Sequence, residues 1–210
     1  MSRSLTTKNL FDKKTGKTVQ LSNPKLIELI GNAEAKGGWL IYGPEKNGKT
    51  WLSLQIARDL SKREKVAYIS AEEGTDDSFK EACKRAGITK ADRILFDAYM
   101  PLEDLILKFK KPKTPNLIFI DNLTIYADEF KNIRFLELLK ALPNKLIVSV
   151  AHEDRNEPSP AAAKMAKKLC KVIINVKGLR AFVTSRFSKG GEMDIDPEKA
   201  ELYWGNTITT

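Results

Sequence analysis

Short apolar runs alternate along most of this chain with segments whose apolar residues have helical spacing. Each run has the length and composition of a buried strand, and the runs lie at 38–42, 66–71, 93–97, 117–121 and 146–151. The intervening segments place apolar residues three or four positions apart, at 50–60, 76–86, 101–109 and 133–142. This alternation predicts an α/β fold with a twisted, mostly parallel sheet flanked by helices on both faces.

The two ends of the chain differ from this middle part. Residues 1–23 are polar and basic with weak periodicity, which indicates an N-terminal arm or lead-in. Pro24 opens a predicted helix, with Asn23 as its cap. In the last third, apolar stretches joined by short glycine-containing turns predict antiparallel strands added to one edge of the sheet, at 172–177, 179–187 and 200–204.

A glycine-rich segment lies between the first predicted strand and the helix that follows it. The segment has the pattern G-x-x-x-x-G-K-T and consists of Gly43, Pro44, Glu45, Lys46, Asn47, Gly48, Lys49 and Thr50, with Trp51 next in the helix. Backbone N–H groups of such a loop cradle phosphates, the lysine reaches the β- and γ-phosphates, and the threonine hydroxyl holds Mg²⁺. The order strand, loop, helix favours a nucleotide-binding loop over a simple glycine turn.

Three carboxylates follow predicted strands. Asp121 directly follows four apolar residues, and its strand carries it to the carboxyl edge of the sheet, where the glycine loop also lies. We expect it to hold Mg²⁺ together with Thr50; the alternative is a turn cap with Asn122. Glu72 and Glu73 follow the strand at 66–71 and can polarise a water that attacks the γ-phosphate. The alternative is an acidic pair at the start of the next helix.

Several cationic or titratable side chains are further candidates. His152, the single histidine of the chain, follows the strand at 146–151 and is either structural or a sensor of the γ-phosphate. Arg155 begins a polar loop that either contacts nucleic acid or is a solvated linker. The late strands carry Arg180, Arg186 and Lys189, which either serve the γ-phosphate of a neighbouring subunit or form ordinary surface charge.

The composition narrows the class of protein. A formal net charge of +9 and a pI near 9.4 indicate a polyanionic partner, most simply nucleic acid; the alternative is that the charge serves solubility alone. No apolar run approaches the roughly twenty residues of a membrane helix, and the N-terminus has no apolar stretch typical of a secretion signal. We therefore expect a cytoplasmic protein without membrane contact. Its two distant cysteines, Cys83 and Cys170, predict neither a disulfide framework nor a metal site.

Taken together, these motifs resemble the RecA-like P-loop ATPases, which include RecA, RadA and the DnaB-type helicases. The likeness covers roughly residues 37–205. Residues 43–50 are similar to the RecA form of the loop, Gly-Pro-Glu-x-x-Gly-Lys-Thr, and 68–73 resemble the strand that ends in the family's catalytic glutamate. In that register Glu72 takes the catalytic position, with Glu73 as the alternative. Residues 117–123 resemble the family's metal-binding strand.

Two later segments extend the resemblance. Residues 149–155, Ser-Val-Ala-His-Glu-Asp-Arg, are similar to the Ser-Gln-x-x-Arg of DnaB-like proteins and the Gly-His-x-x-Lys of RadA-like proteins, which places His152 at the sensor position. Residues 179–187 resemble the strand that carries Lys-Asn-Arg, and Arg186 takes the place of the arginine that reaches the next subunit. Thr184 stands where the family has lysine, and Lys189 is the alternative cation.

The resemblance implies a single RecA-like domain over 24–210 that binds ATP and Mg²⁺ and hydrolyses ATP. It also implies association with DNA, with single strands favoured, and a homo-oligomeric ring or filament with ATP between subunits. Two other interpretations remain open. One is a small-molecule P-loop kinase, for which the sequence shows no convincing arginine-rich lid. The other is a regulator or loader that binds nucleotide without turnover and partners a helicase.

Overall fold

A computed structural model of the chain describes residues 4–14 and 16–205. Within them the strands are β1 (Gly37–Gly43), β2 (Val66–Ser70), β3 (Ile94–Ala98), β4 (Leu117–Asp121), β5 (Leu146–Asp154), β6 (Glu157–Ser159), β7 (Val172–Lys177), β8 (Arg180–Ser185) and β9 (Gly191–Asp194). The helices are α1 (Thr7–Phe11), α2 (Pro24–Ile30), α3 (Lys49–Ser61), α4 (Asp77–Arg85), α5 (Leu102–Lys110), α6 (Glu129–Asn132), α7 (Phe135–Ala141), α8 (Ala161–Leu169) and α9 (Pro197–Trp204).

In the described part of the chain, all the strands belong to one sheet. Its order is β3-β2-β4-β5-β1-β7-β8-β9, and the short β6 pairs with the end of β5. The six strands from β3 to β7 in this order are parallel, whereas β8 and β9 run antiparallel. The predicted fold class, a mostly parallel sheet with antiparallel strands near the C-terminus, is confirmed.

The parallel strands β1, β2 and β4 are almost entirely buried because helices cover both faces of the sheet. Successive residues of β1 point to opposite sides, so Trp39 and Ile41 enter one core and Leu40 and Tyr42 enter the other. The first core packs under α2, α3 and α4, and the second under α5, α7 and α8. In these three strands, burial on both faces removes the alternation of polar and apolar positions that a half-exposed strand would show. The outer strand β3 and strand β7 are only partly buried.

Local signals in the sequence account for where several helices begin and end. The Asn23 side chain accepts the N–H groups of Lys25 and Leu26 at the start of α2, as predicted from the Asn-Pro pair. Asp76 caps α4 in the same way, and Gly87 follows that helix with a φ of 76°. The helix predicted at 133–142 is shorter, since α7 begins at Phe135 after the separate turn of α6.

The C-terminal part corrects two predictions and contains one strand that the sequence did not predict. The strand predicted at 200–204 is wrong, because these residues lie in helix α9. Asp196 accepts the Lys199 N–H there and Pro197 occupies the first turn, so the start signals of a helix outweigh the aromatic residues. The short, partly exposed strand β9 lacks the apolar run that would have predicted it. The polar loop expected after Arg155 contains β6, which forms a hairpin with β5.

The last residues of the segment that precedes α2 contact the rest of the domain. Val19 is buried and donates its N–H to the Ala33 carbonyl, while the Ser22 and Asn23 N–H groups donate to the Asp59 carboxylate. Helix α1 buries none of its residues. The remaining positions of the predicted arm and domain, 1–3, 15 and 206–210, lie outside the described residues.

Candidate functional site

The register of the parallel strands brings most of the predicted site residues to one edge of the sheet. Gly43 at the end of β1 lies opposite His152 in β5, and Ser70 at the end of β2 lies opposite Asp121 at the end of β4. These strands are parallel, so their carboxyl ends share this edge. Residues separated by more than a hundred positions in sequence therefore surround the glycine loop.

The glycine loop is held by the turn between β7 and β8. The Asn47 side-chain oxygen accepts the Gly178 N–H at 2.6 Å, and the Asn47 carbonyl accepts the Leu179 N–H at 3.3 Å. Gly48 has a φ of 100°, a left-handed conformation that favours glycine. These contacts fix the point where the loop enters α3.

Gly43 is required for a different reason, because the backbone of β7 passes close to its Cα atom. A Cβ atom built at Gly43 would lie 2.0 Å from the Val176 carbonyl oxygen on the neighbouring strand β7. The obstacle is backbone rather than a flexible side chain, so no rotamer change can relieve it. The first glycine of the loop therefore lets β1 and β7 approach each other where the chain turns toward the cleft.

Lys49 lies folded against its own loop. Its side chain is buried, and Nζ donates to the Pro44 carbonyl at 2.7 Å. Burial lowers the pKa of the ammonium, and the nearby Asp121 and Glu72 carboxylates oppose that shift. The protein therefore only partly offsets the cost of burying the positive charge of Lys49. An anionic ligand could supply the remaining compensation.

Asp121 is fully buried at the bottom of the cleft. Tyr68 donates its hydroxyl to Oδ2 at 2.7 Å, and the nearby Thr50 side chain also favours the charged carboxylate. The Tyr68 hydroxyl lies 2.6 Å from the Ser53 hydroxyl, so α3, β2 and β4 meet in one polar network. Burial raises the pKa of Asp121 to about 6, because desolvation disfavours the charged form more than these hydrogen bonds stabilise it.

Asp121→Asn is expected to stabilise the nucleotide-free protein at pH 8 by on the order of 2 kcal/mol. The folded-state pKa of about 6 lies above that of the unfolded chain. The favourable contribution of the Asp121 carboxyl to the free energy of unfolding is thus fully present below about pH 4. It is lost as the pH rises through about 6. Denaturant titrations should show the gain at pH 8 and none at pH 4. Lower stability of the variant at pH 8 would contradict this account; the exposed Asp154→Asn is the control.

Glu72 and Glu73 follow β2 but differ in their contacts. The Glu72 carboxylate accepts a hydrogen bond from the Asn122 side chain, and its Oε2 lies 3.7 Å from His152 Nε2. Burial, and secondly the charge of Glu72, raises the pKa of Glu73. Of the two predicted alternatives, Glu72 is thus the one joined to the other residues at the strand ends.

His152 lies within β5, which continues three residues beyond the predicted strand end to Asp154 before the hairpin with β6. Its Nε2 lies 3.0 Å from the Asn122 side-chain nitrogen. The Asn122 amide therefore stands between the predicted water-activating glutamate and the predicted sensor. Sequence reasoning considered Asn122 only as a partner in a turn.

These side chains line a cleft of about 600 Å³, a volume typical of small-molecule sites. The predicted residues along its wall are Glu45, Lys46, Gly48, Lys49, Thr50, Trp51, Glu72, Glu73, Asp121 and His152. Residues not predicted there are Ala82, Arg85, Asn122, Leu179 and Lys199. Arg85 and Lys199 lie over the Trp51 ring, at 5.9 and 5.1 Å from its centroid. They place positive charge beside Trp51 at the wall of the cleft.

Two solved structures share this architecture over most of their length. The KaiC-like protein PH0186 from the hyperthermophilic archaeon Pyrococcus horikoshii OT3 superposes with a TM-score of 0.61 at 15% identity, covering 84% of this chain and 91% of that one. The flagellar accessory protein FlaH from Methanocaldococcus jannaschii gives 0.56 at 15% identity, with 86% and 92% covered. This chain has the RecA-like fold. The sequence itself matches no protein-family model, and no curated protein matches it significantly.

One predicted residue of this RecA-like chain lies away from the cleft. Arg186 is exposed and follows β8, where Ser185 pairs with Val172 at the beginning of β7. That end of the sheet is opposite the glycine loop, so Arg186 does not reach the cleft of its own chain. Thr184 and Lys189 are also exposed.

Arg180 lies at the loop end of the RecA-like sheet, but its guanidinium has partners within the chain. It donates to the Asp194 carboxylate at 2.6 Å from Nε and lies 5.6 Å from the centre of the Trp204 ring. Hydrogen bonding to Asp194 raises the pKa of the guanidinium. The contacts indicate that Arg180 fastens β8 to β9 and α9.

The donor set in the cleft of this RecA-like fold fits Mg²⁺ bound together with phosphate. No cluster of three or more histidine, cysteine, aspartate or glutamate side chains suitable for a metal ion occurs among residues 4–14 and 16–205. Mg²⁺ commonly takes one or two carboxylates and completes its shell with phosphate and water oxygens. Asp121 and the Thr50 hydroxyl supply that kind of partial set.

A membrane-crossing helix is not found in the described part of the chain, since none of its helices is both long and apolar enough.

Proposed function

We propose that this chain binds ATP with Mg²⁺ in the cleft and hydrolyses it. The observation that carries the proposal is the convergence of four groups at one sheet edge: the Lys49 ammonium, the Thr50 hydroxyl, and the carboxylates of Asp121 and Glu72. Their chemistry matches the needs of phosphoryl transfer to water, namely charge on the phosphates, ligands for a metal and a group to orient the nucleophile.

Each group has a separate role in this proposal. The backbone N–H groups of 43–50 and Lys49 bind the phosphates, while Thr50 and Asp121 hold Mg²⁺, which neutralises charge on the phosphate oxygens. Glu72 orients the attacking water, and His152 contacts the γ-phosphate. Trp51, with Arg85 and Lys199 over its ring, lies at the far end of the same cleft.

Association with DNA, preferably single-stranded, is a second part of the proposal. The net charge of +9 supports it, as do exposed cations near the β5–β6 hairpin: Arg155 at its tip, and Lys164 and Lys168 on α8. Contacts of this kind neutralise phosphates and therefore weaken with salt. We place this activity in the cytoplasm, where ATP and Mg²⁺ are abundant.

A homo-oligomeric ring or filament is the third part. Arg186 is exposed at the edge of the sheet opposite the chain's own cleft, so it can serve a phosphate only in another copy. A cation supplied in trans stabilises the charge that develops during phosphoryl transfer. ATP between subunits would then complete each site.

ATP turnover measured at low salt with and without single-stranded DNA tests the proposal, with molar mass determined with and without ATP. We expect turnover that rises when single-stranded DNA is added, and a larger molar mass with ATP. Flat turnover across the DNA titration would refute the DNA role. Phosphate transfer to a nucleoside or metabolite would instead identify a small-molecule kinase.

A regulator or loader that binds ATP without hydrolysing it is the second candidate. Two observations favour it: Thr184 stands where the RecA-like ATPases have a lysine, and the Glu72 carboxylate is held by Asn122. Tight ATP binding without turnover, in the presence of DNA as well, would support this candidate over the first.

A further inference from the structure

The orientation of the Asn122 side chain is fixed by three contacts. Asn122 is almost completely buried, and its Oδ1 accepts the Thr124 N–H at 2.7 Å. The oxygen is therefore directed away from Glu72 and His152, and the amide nitrogen faces both of them. An amide nitrogen carries two hydrogens, so it donates one to Glu72 and the other to His152.

This arrangement determines which nitrogen of His152 carries a proton. Nε2 accepts from Asn122 at 3.0 Å, so Nε2 holds a lone pair and the neutral ring is protonated at Nδ1. Nδ1 is buried and finds no hydrogen-bond partner among the described residues. A buried N–H without a partner is unfavourable, so this tautomer depends on the bond that Asn122 donates.

We propose that Asn122 is a positioning residue that locks Glu72 and His152 in a resting arrangement and releases both when a γ-phosphate enters. A phosphate oxygen needs a hydrogen-bond donor, and Nε2 cannot donate while it accepts from Asn122. When the phosphate arrives, Nδ1 loses its proton to water and Nε2 takes a proton from water, so the net charge does not change. The Asn122 amide must then withdraw, and the same movement frees Glu72. This inference rests on the proposed ATP binding.

The single histidine of the chain makes the tautomer directly observable. Long-range ¹H–¹⁵N NMR of tag-free, ¹⁵N-labelled protein shows one imidazole. We expect protonation at Nδ1 without nucleotide and with ADP, and at Nε2 with Mg²⁺ and a non-hydrolysable ATP analogue. Protonation at Nε2 in the nucleotide-free protein, or no change with bound analogue, would overturn the inference. Absence of analogue binding would refute the proposed function, and the inference with it.

A binding measurement provides the second test. Asn122→Leu removes both donated hydrogen bonds at similar side-chain volume, so ATP-analogue binding no longer has to break them. The analogue Kd is expected to fall about tenfold while the ADP Kd stays unchanged. The matched control is Asn175→Leu, which removes an amide on β7 that donates to Glu153 on β5, outside the cleft. An equal change in both Kd values, or the same shift in the control, would refute the lock.

Discussion

Glu72→Gln is expected to lower the rate of ATP hydrolysis by about two to four orders of magnitude, the usual contribution of a positioned general base. ATP binding should remain close to wild type, because glutamine keeps the size of the side chain and, in the proposed function, the glycine loop and Lys49 hold the phosphates. Steady-state turnover and analogue binding, measured on the same preparation, separate the two effects.

Glu73→Gln is the matched control, since the neighbouring residue follows the same strand and also borders the cleft. It is expected to slow hydrolysis by less than about tenfold, far below the 10²–10⁴ of a positioned base, because Glu73 lacks the contact with Asn122. A large loss in Glu73→Gln with a small loss in Glu72→Gln would reverse the assignment. Equal and small losses in both would remove the water-activating role from this pair.

Lys49→Met is expected to weaken ATP binding about 10- to 100-fold, the effect of losing charge-assisted hydrogen bonds of about 1.5–3 kcal/mol. The nucleotide-free protein should unfold at the same or a higher temperature. Burial lowers the Lys49 pKa, which means that the folded protein holds the ammonium less favourably than the unfolded chain does. Calorimetric titration and thermal unfolding measure the two quantities independently.

Lys46→Met provides the comparison for this variant. Lys46 belongs to the same loop and borders the same cleft, but its side chain is exposed and its backbone φ of 58° is unaffected by an exchange of one long side chain for another. Its affinity for ATP should fall much less than that of Lys49→Met. Comparable losses in both variants would indicate general charge attraction rather than a specific phosphate contact by Lys49.

The sequence was informative wherever a short segment contains its own physical signal. The glycine loop lies between a buried strand and a helix, and the strand that ends in Asp121 is a continuous apolar run, so both positions followed from composition and spacing. The same reasoning failed at 200–204, where aromatic residues indicated a strand although Asp196 and Pro197 begin a helix. Capping residues a few positions upstream decided the outcome.

Contacts between distant segments required the structure. The link from Glu72 through Asn122 to His152 joins residues 30 and 50 positions apart and depends on the order of β2, β4 and β5 in the sheet. In the sequence, Tyr68 is interpreted as an ordinary apolar residue of a strand, whereas in the structure its hydroxyl donates to Asp121. The placement of Arg186 depends on the pairing of Ser185 with Val172, at the end of the sheet opposite the glycine loop.

The bonds from Gly178 and Leu179 to Asn47 have a mechanical consequence. They connect the glycine loop to the β7–β8 hairpin, and β8 pairs in turn with the outermost strand β9. If the glycine loop moves when a ligand binds, the hairpin must move with it, or both hydrogen bonds to Asn47 must break. A movement of the glycine loop is therefore transmitted through the β7–β8 hairpin to β9 at the edge of the sheet.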